Sequence, residues 1–437
     1  MPVQNVIAAL TGGLIASALA CIPGLHVYNL LGFAIILAYG HSGAEALFVP
    51  FSLGMIAGFA VCNTIPSVIL AAPDESAMFT VLPGQKYLMK GRAYEAVILT
   101  AAGSAAGVGL VIAGLAGFGP AVLPVMRQVF AAHSHWIIWC VICFMLMSEW
   151  PRDTAVGLSG WLRFFKAWQQ LFAGLATFVM SGLLGFALFY RSPVQAGSAF
   201  QNLMPAFVGL FTMPWLLLNL VSGCRAPPQR LTLPGIHLRD FAAGSIAGTL
   251  GGGFAVFFPV ITGGVGGFLA GHAVSIRNDR MFLVSQGASK AVYYSAAVLL
   301  LFVPGLNMAR GGGALMINAL YTGYSYEDFY LALGSIAMAS AAALLLVAPL
   351  AILTLRAMQR AGLRMLSAFS LLAALCVVFV GTGTGGIGIM FAGLGIGLVP
   401  PLFGTRRMNC LGVILLPVAC MMSGIGDDIA AFLRLAG

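Results

Sequence analysis

Long apolar segments with almost no charged residues follow one another along the sequence, and this pattern restricts the fold more than any other feature. Of the 437 residues, 60% are hydrophobic and 8% are charged, whereas soluble domains carry about 25% charged residues. The pattern therefore excludes a soluble globular fold. Because one membrane span needs about 20 apolar residues, the length predicts an all-α, polytopic integral membrane protein with about ten to fourteen transmembrane or re-entrant helices.

The basic residues lie in short connectors between the apolar segments. The chain has 21 Lys and Arg against 12 Asp and Glu. Because the basic residues stand singly or in small groups, they favour membrane topology over nucleic-acid binding. An even number of crossings fits between successive connectors, so the positive-inside rule places all of them in the cytoplasm. We therefore predict a multi-pass protein of the cell (inner) membrane, surrounded by membrane lipids and without a nucleic-acid partner. The basic connectors are 84–92, 152–166, 225–239, 277–280, 356–364 and 406–407.

Two glycine-rich segments run into a proline break at matching places in the sequence. The first break is centred on Pro23 and the second on Pro259, 236 residues later. Further apolar runs end at Pro73 and at Pro304, 231 residues apart. Paired interruptions in corresponding positions are the best sequence pointer to the binding site of a transporter built from repeats.

These offsets predict one transmembrane domain, 1–437, composed of two repeated halves with broken helices, 1–223 and 224–437. As in inverted repeats, we expect a pseudo-two-fold axis to relate the two breaks. The breaks should then approach each other near the centre of the bilayer and form a common substrate site, to which Pro259 would contribute.

The first break contains Pro23, Gly24, Leu25 and His26. Here one half-helix would end with open carbonyl groups, and the next would begin with free N–H groups whose positive dipole end suits an anionic ligand. His26 could donate a hydrogen bond or carry a proton. We predict that these four residues bind substrate. The alternative is a tight turn outside the membrane between two hairpin helices.

A second polar cluster follows an apolar run without any charge that would mark a membrane exit. It includes Asn63, Thr64 and Ser67, and the acidic residues Asp74 and Glu75 come shortly after it. Irregular backbone at membrane depth is tolerated only where it lines a cavity or lies inside protein, so we predict that the first three residues bind substrate. Asp74 and Glu75 are predicted to bind a coupling ion or to gate the site. An ordinary external loop with solvated carboxylates is the alternative.

In the second half, Thr262, Gly263 and Gly264 follow the proline break, and Lys290 and Tyr293 begin a long apolar run. A glycine pair beside a hydroxyl allows the backbone to approach a ligand closely. Lys290 could neutralise an anion, although a lysine can equally extend its charge to the membrane interface. We predict that all five residues contribute to substrate binding.

Two signatures that resemble cofactor or metal sites are discounted. Residues 381–386 satisfy G-x-G-x-x-G, but they lie between apolar segments without a βαβ context. Cys140 and Cys143 form a C-x-x-C pair with no second pair of ligands. No nucleophile–base pair stands at usable spacing either, so we predict no cofactor, no metal site, no catalytic residue and no enzyme activity.

Several motifs in a fixed order resemble those of one transporter family. They are the Ile22-Pro23-Gly24-Leu25 break, the Asn63–Ser67 cluster with Pro73 after it, the stretch 82–96 and the stretch 397–417. By these motifs the chain is similar to the TctA family, the large permease subunit of tripartite tricarboxylate transporters, and in particular to its shorter predicted-membrane-protein branch. The resemblance implies a transport role, with a small membrane subunit and a periplasmic binding protein as partners.

The sequence departs from the prototypical permeases at two places. They carry Gly-Gly-Ser and an Asn-x-Pro-Gly run where this chain has Ala60–Ser67, and a Pro-Gly break where it has Phe258–Val260. The resemblance therefore implies the fold and a transport role better than it implies a tricarboxylate as the substrate.

Together these features predict a secondary-active permease that moves a small organic anion, such as a carboxylate, through a site at the two breaks. The alternative is a non-transporting integral subunit of a membrane complex, or a translocase for a lipid phosphate of the polyprenyl-phosphate type. The scarcity of ionisable groups within the apolar segments keeps this alternative open.

Overall fold

The computed structural model describes residues 2–38, 44–151, 157–194, 203–223, 225–274, 278–321 and 324–435. All regular elements in these ranges are helical, which confirms the all-α prediction. Two parts of the predicted basic connectors, 152–156 and Arg277, lie outside the described residues.

The helices of the first half of the sequence are α1 (Val3–Leu19), α2 (Val27–Ala38), α3 (Ala44–Cys62), α4 (Thr64–Ile69), α5 (Val81–Met89), α6 (Ala93–Ala131), α7 (Ser134–Met147), α8 (Gly160–Tyr190), α9 (Leu203–Phe207) and α10 (Met213–Ser222). Those of the second half are α11 (Leu238–Phe257), α12 (Gly263–Val274), α13 (Asp279–Phe302), α14 (Gly311–Leu320), α15 (Tyr326–Phe403), α16 (Gly412–Met422) and α17 (Gly426–Phe432). Short 3₁₀ turns precede α5 and α16, and a π-helical turn joins α9 to α10.

Within the described residues, five helices are long and apolar enough to cross a membrane. A sixth span results if the bent pair α16 and α17, which meet at 116°, counts as one. These helices support a multi-pass membrane protein. The larger expected number of ten to fourteen segments also counts shorter and re-entrant helices, and it stays a prediction. The five long helical segments are Leu47–Ile69, Ala93–Ala131, Gly160–Tyr190, Leu203–Ser222 and Tyr326–Phe403.

Helix α15 runs through the predicted basic connector 356–364, and one break in its backbone, at Gly362, lies inside that connector. At 1.5 Å per residue, a 78-residue helix would be about 117 Å long, several times the roughly 30 Å of a bilayer core. The backbone interrupts the run twice, because Gly362 and Gly383 have φ values of +80° and +65°. Glycine tolerates this left-handed conformation, which subdivides α15 into shorter apolar stretches.

The chain forms two compact units that interleave along the sequence. The first comprises residues 1–131, 215–257 and 261–374, and the second comprises 132–214, 258–260 and 375–437. The two sequence halves predicted above, 1–223 and 224–437, stay a prediction.

Glycines allow the helices of the first unit to pack backbone against backbone. A Cβ atom added to Gly103 on α6 would lie 2.0 Å from the carbonyl oxygen of Val284 on α13. One added to Gly287 on α13 would lie 1.9 Å from the carbonyl oxygen of Thr100. Because real Cβ atoms never approach so closely, α6 and α13 can pack this tightly only where these residues are glycine. This contact fixes α13, which carries several of the polar residues predicted for the site.

The two breaks have similar backbone conformations. Helices α2 and α12 begin 236 residues apart, at Val27 and Gly263. Left-handed residues precede both, Gly24 with φ +82° and Val260 with φ +58°. Farther along, Ala71 (φ +55°) and Asn307 (φ +42°) form a second left-handed pair at the same offset. This pattern supports the duplicated halves as a proposal, with one offset of 236 in place of the 236 and 231 read from the prolines.

Three of the basic connectors lie together in the first unit. Lys86 forms an ion pair with Asp279, which joins the end of α5 to the start of α13. The backbone N–H of Arg230 donates to the carbonyl oxygen of Gly91 at 2.8 Å. These three connectors therefore share one face of this unit, and the prediction that all six lie in the cytoplasm stays a prediction. The three are 84–92, 225–239 and 278–280.

Candidate functional site

Two adjacent carboxylates lie in the segment that follows α4. The Oδ1 atom of Asp74 accepts hydrogen bonds from the backbone N–H groups of Ser76 (3.1 Å) and Ala77 (2.7 Å). This local turn fixes Asp74 and leaves its Oδ2 atom for other partners. Glu75 is 5% exposed. Burial of two neighbouring acidic groups is costly unless both are hydrogen-bonded or paired with positive charge.

The Tyr294 hydroxyl, on α13, contacts both carboxylates. It donates to Asp74 Oδ2 at 2.8 Å and lies 3.4 Å from Glu75 Oε1. His26 Nε2 lies 2.9 Å from the same hydroxyl oxygen and 3.4 Å from Glu75 Oε1. Three separate stretches of chain thus meet at one phenol.

The tautomer of His26 follows from its other ring nitrogen. Nδ1 accepts a hydrogen bond from the backbone N–H of Tyr28 at 3.2 Å. An accepting Nδ1 carries no proton, so Nε2 holds it and donates toward the Tyr294 hydroxyl oxygen. The result is a directed chain in which His26 donates to Tyr294 and Tyr294 donates to Asp74.

His26, Tyr294, Asp74 and Glu75 form a hydrogen-bonded network, and Lys290 joins this network through Asn63. The Lys290 ammonium donates to Asn63 Oδ1, and Asn63 Nδ2 donates to Asp74 Oδ2 at 2.6 Å. Lys290 is 1% exposed and Asn63 is 4% exposed. A lysine that has lost its hydration requires compensating negative charge, which Asp74 supplies through the amide of Asn63.

The second break lies against the backbone of the acidic pair. Thr262 Oγ1 donates to the carbonyl oxygen of Glu75 at 3.3 Å. A Cβ atom added to Gly264 would lie 2.5 Å from that same carbonyl oxygen, so only glycine fits there. On the other side, Ser289 Oγ on α13 donates to the carbonyl oxygen of Gly263 at 2.7 Å. The start of α12 is therefore held between α13 and residues 74–75.

The structure brings most of the predicted site residues together. Hydrogen bonds connect the polar side chains of the network with one another, and hydrogen bonds or close contacts connect the residues of the second break to Glu75 and to α13. Their binding roles stay predictions. These residues are His26, Asn63, Asp74, Glu75, Thr262, Gly263, Gly264 and Lys290.

Other predicted residues lie beside the network without joining it. Thr64 Oγ1 donates to Thr100 Oγ1 at 3.0 Å, and Ser67 Oγ donates to the carbonyl oxygen of Asn63 at 2.9 Å, so both hydroxyls serve helix packing. The Tyr293 ring contacts that of Tyr294 at a centroid distance of 5.5 Å. Residues Pro23, Gly24 and Leu25 form the turn between α1 and α2, and Pro259 lies in the turn between α11 and α12.

Tyr294 is the central residue of the network, and it is not among the site residues predicted from the sequence. It follows Lys290 by four positions, and residues i and i+4 share one face of a helix. Helical spacing from Lys290 would therefore have indicated Tyr294 in preference to Tyr293. This tyrosine is 1% exposed and is among the largest fully buried side chains of the described residues.

The network has the donor atoms and the charge to hold a cation. One ligand atom each from His26, Asp74 and Glu75 lies within 4.8 Å of the other two. With His26 neutral, the two carboxylates and the Lys290 ammonium carry a net charge of −1. One proton or one monovalent metal ion would bring the net charge of the network to zero. Buried charge is least costly when it is neutralised in this way.

Comparison with known proteins yields a family and a distant relative. Residues 6–412 match the model of the tripartite tricarboxylate transporter TctA family. An uncharacterized protein of Methanocaldococcus jannaschii is 25% identical over 424 residues, which cover 94% of this chain and 98% of the relative. No solved structure matches the chain.

Proposed function

Because the chain belongs to the tripartite tricarboxylate transporter TctA family, we propose that it is a secondary-active permease that couples the movement of a small organic anion to that of a cation. The observation that carries this proposal is the buried network of His26, Asp74, Glu75 and Lys290, joined through Tyr294 and Asn63. Ionisable groups inside a membrane protein are costly, and they mark ion and proton pathways in pumps and transporters.

Charge balance provides the coupling. An anion that approaches the network in its −1 state is repelled, whereas after uptake of a cation the network is neutral and Lys290 can face the anion. The cation and the anion therefore bind together more favourably than either binds alone, which is the thermodynamic meaning of coupling between two sites. Asp74 and Glu75 take the coupling ion, and His26 and Tyr294 relay or orient a proton beside them.

The anion is proposed to bind next to the network, at the two breaks. The turn Pro23–Leu25 and the residues Thr262, Gly263 and Gly264 offer backbone polar groups that need no charged side chain. Asn63 and Lys290 supply an amide and a positive charge on the same side. Thr64, Ser67, Tyr293 and Pro259 complete the proposed surroundings of the substrate.

The left-handed Val260 supports a functional role for the second break. A β-branched residue at φ +58° is strained, because its side chain crowds the backbone. Such strain persists where the surrounding structure enforces it, and it clusters at ligand sites and switches.

Family membership also suggests partners, since a tripartite transporter contains further subunits. We propose a small membrane subunit and a periplasmic binding protein, with the protein in the inner membrane and the basic connectors in the cytoplasm. The ion pair and hydrogen bonds that gather three of these connectors on one face support this orientation.

Reconstituted vesicles test the proposal. Protein in liposomes, with and without the two partner subunits, is offered radiolabelled citrate, succinate and malate under an inward proton or sodium gradient. We expect at least one carboxylate to accumulate above its external concentration and to stop accumulating when an ionophore collapses the gradient. Absence of uptake in every combination, with movement of a labelled polyprenyl phosphate instead, would favour the lipid translocase.

A further inference from the structure

Two arginines that the network does not use lie close together in the first unit. Arg127 is near the C-terminal end of α6, and Arg310 directly precedes α14. The segment between α13 and α14 connects them, because Arg127 Nη1 donates to the carbonyl oxygen of Leu306 at 2.7 Å. Arg310 Nη2 donates to the carbonyl oxygen of Phe257, the last residue of α11, at 2.9 Å. Leu306 stands only four residues before Arg310, so the hydrogen bond of Arg127 brings its guanidinium to the segment that carries Arg310.

Neither guanidinium is neutralised within the part of the chain that the structure describes. The ion pairs found there involve other basic residues, and both arginines contact only carbonyl oxygens. A guanidinium has five N–H donors, so most of the donors of this pair stay available. Arg310 Nε is buried without a hydrogen-bond partner. Two adjacent positive charges with unused donors are a binding arrangement for an anion with several oxygen atoms.

The position of the pair fits the entrance of a transport path. Helix α6 begins just after the basic connector 84–92, and its 39 residues span about 58 Å. Arg127 lies four residues before the other end of this helix, with an exposed side chain. If the connector faces the cytoplasm, the arginines face the opposite side, from which a periplasmic partner would deliver substrate.

Tyr293 joins the second break to the acidic network. Its ring packs against that of Tyr294, whose hydroxyl contacts both carboxylates of the network. Gly263 packs against the Cβ atom of Tyr293 and joins the same tyrosine to the second break. The arginine pair and the proposed inner site thus meet at the same break, because Arg310 contacts the carbonyl oxygen of Phe257 directly before it.

We propose that Arg127 and Arg310 form an outer anion-binding site that receives a small soluble di- or tricarboxylate before it reaches the inner site. The proposal rests on the permease function. In this arrangement Arg127 and Arg310, which lie outside the network, make the first contact with the substrate. Two guanidiniums match two carboxylate groups better than one, so a dianion or trianion should bind more tightly than a monocarboxylate.

Arginine modification tests this site in the wild-type chain. Full-length protein in phosphatidylcholine nanodiscs is treated with phenylglyoxal, and the modified arginines are measured by peptide mass spectrometry. The probes are citrate, succinate, acetate and inorganic phosphate, together with phosphatidic acid in the nanodisc. We expect citrate and succinate to protect Arg127 and Arg310 at least fivefold, and acetate to protect them much less. Arg191, a solitary exposed arginine at the end of α8, is the matched control and should react equally with and without citrate.

Substitutions then measure the contribution of each arginine. Arg127→Gln and Arg310→Gln should each weaken citrate binding at least tenfold, Arg127→Lys should weaken it less, and Arg191→Gln should leave it unchanged. If a glutamine variant fails to fold, the protection experiment on the wild-type chain decides.

Three results would overturn the outer site. They are equal protection of Arg191, protection by phosphatidic acid alone, and unchanged citrate affinity in both glutamine variants. Transport with unchanged citrate affinity in those variants would leave the permease function intact and remove only this site. Specific protection of the two arginines in a protein that moves no carboxylate would support the site and contradict the permease.

Discussion

The hydroxyl of Tyr294 donates to Asp74 Oδ2 at 2.8 Å, although 220 positions of sequence separate the two residues. This hydrogen bond joins α13 to the segment that follows α4. The His26 imidazole contacts the oxygen of the same tyrosine hydroxyl. One hydroxyl therefore links the acidic pair to the residue that ends the first break. Changes at Tyr294 should affect function more than stability.

Removal of this hydroxyl gives the first prediction. In Tyr294→Phe the ring stays in place, and loss of the hydrogen bond should cost about 1 kcal/mol of stability. Transport should fall at least tenfold, because no hydroxyl then links His26 to Asp74. Vesicle uptake and thermal unfolding of the same preparation measure both effects. Tyr330→Phe, at an exposed tyrosine, is the control, and equal uptake by the two variants would disprove the role of Tyr294.

The loss of stability caused by removing Lys290 should be partly reversed by removing the charge of Asp74. Lys290→Met leaves two buried carboxylates without their positive partner and should destabilise the protein by about 3–5 kcal/mol. Adding Asp74→Asn removes one of the uncompensated charges and should restore more than half of that loss. The stabilities of the single and double variants form a double-mutant cycle. Additive losses would show that the two residues are not coupled through Asn63.

Close packing of α6 and α13 predicts opposite effects at two glycines of one helix. Gly103→Ala places a Cβ atom 2.0 Å from the Val284 carbonyl oxygen, so the helices must separate and the unfolding temperature should fall by several degrees. A Cβ atom at Gly109 meets nothing within 4 Å. Gly109→Ala should be neutral or slightly stabilising, because alanine is the better helix former. Thermal unfolding by intrinsic fluorescence measures both, and equal losses would contradict the contact.

The gathered connectors predict the labelling pattern of single cysteines in intact cells. Cysteines at Lys90, Arg230 and Arg280 should all be protected from an impermeant maleimide and should react after the membrane is permeabilised. A cysteine at Arg127, near the far end of α6, should react in intact cells. Labelling of any two of the first three positions from opposite sides would contradict the shared face.

Much of the fold follows from the sequence because hydropathy alone specifies helices in a membrane. The basic connector 356–364 shows the limit of that reasoning. Arginine is a good helix former, so a cluster of charge interrupts hydropathy without ending the helix. The left-handed Gly362 interrupts α15 inside this charged connector, whereas the second interruption, at Gly383, lies in an apolar stretch without any charge.

Part of the candidate site can be predicted from the sequence, because polar residues stand out in a chain that is otherwise apolar. Polar residues beside prolines are visible in the sequence and predict His26, Asn63 and Asp74, whereas Lys290 stands out as a charge at the start of a long apolar run. The partnership between Tyr294 and Asp74 is not predictable in this way, because a contact across 220 residues depends on how α13 packs against the segment that follows α4. Arg127 and Arg310 are solitary in the sequence, and only the fold makes them neighbours.

The coupling function of Asp74 gives the most direct test of the central claim. Citrate accumulation under an imposed cation gradient and citrate exchange without one are measured in the same proteoliposomes. Asp74→Asn is compared with the wild-type chain and with Asp428→Asn, a change at an exposed carboxylate on α17. We predict that Asp74→Asn still exchanges citrate but no longer accumulates it, while the control variant does both. Accumulation by Asp74→Asn as steep as that of the wild-type chain would contradict the claim that this network couples the anion to a cation.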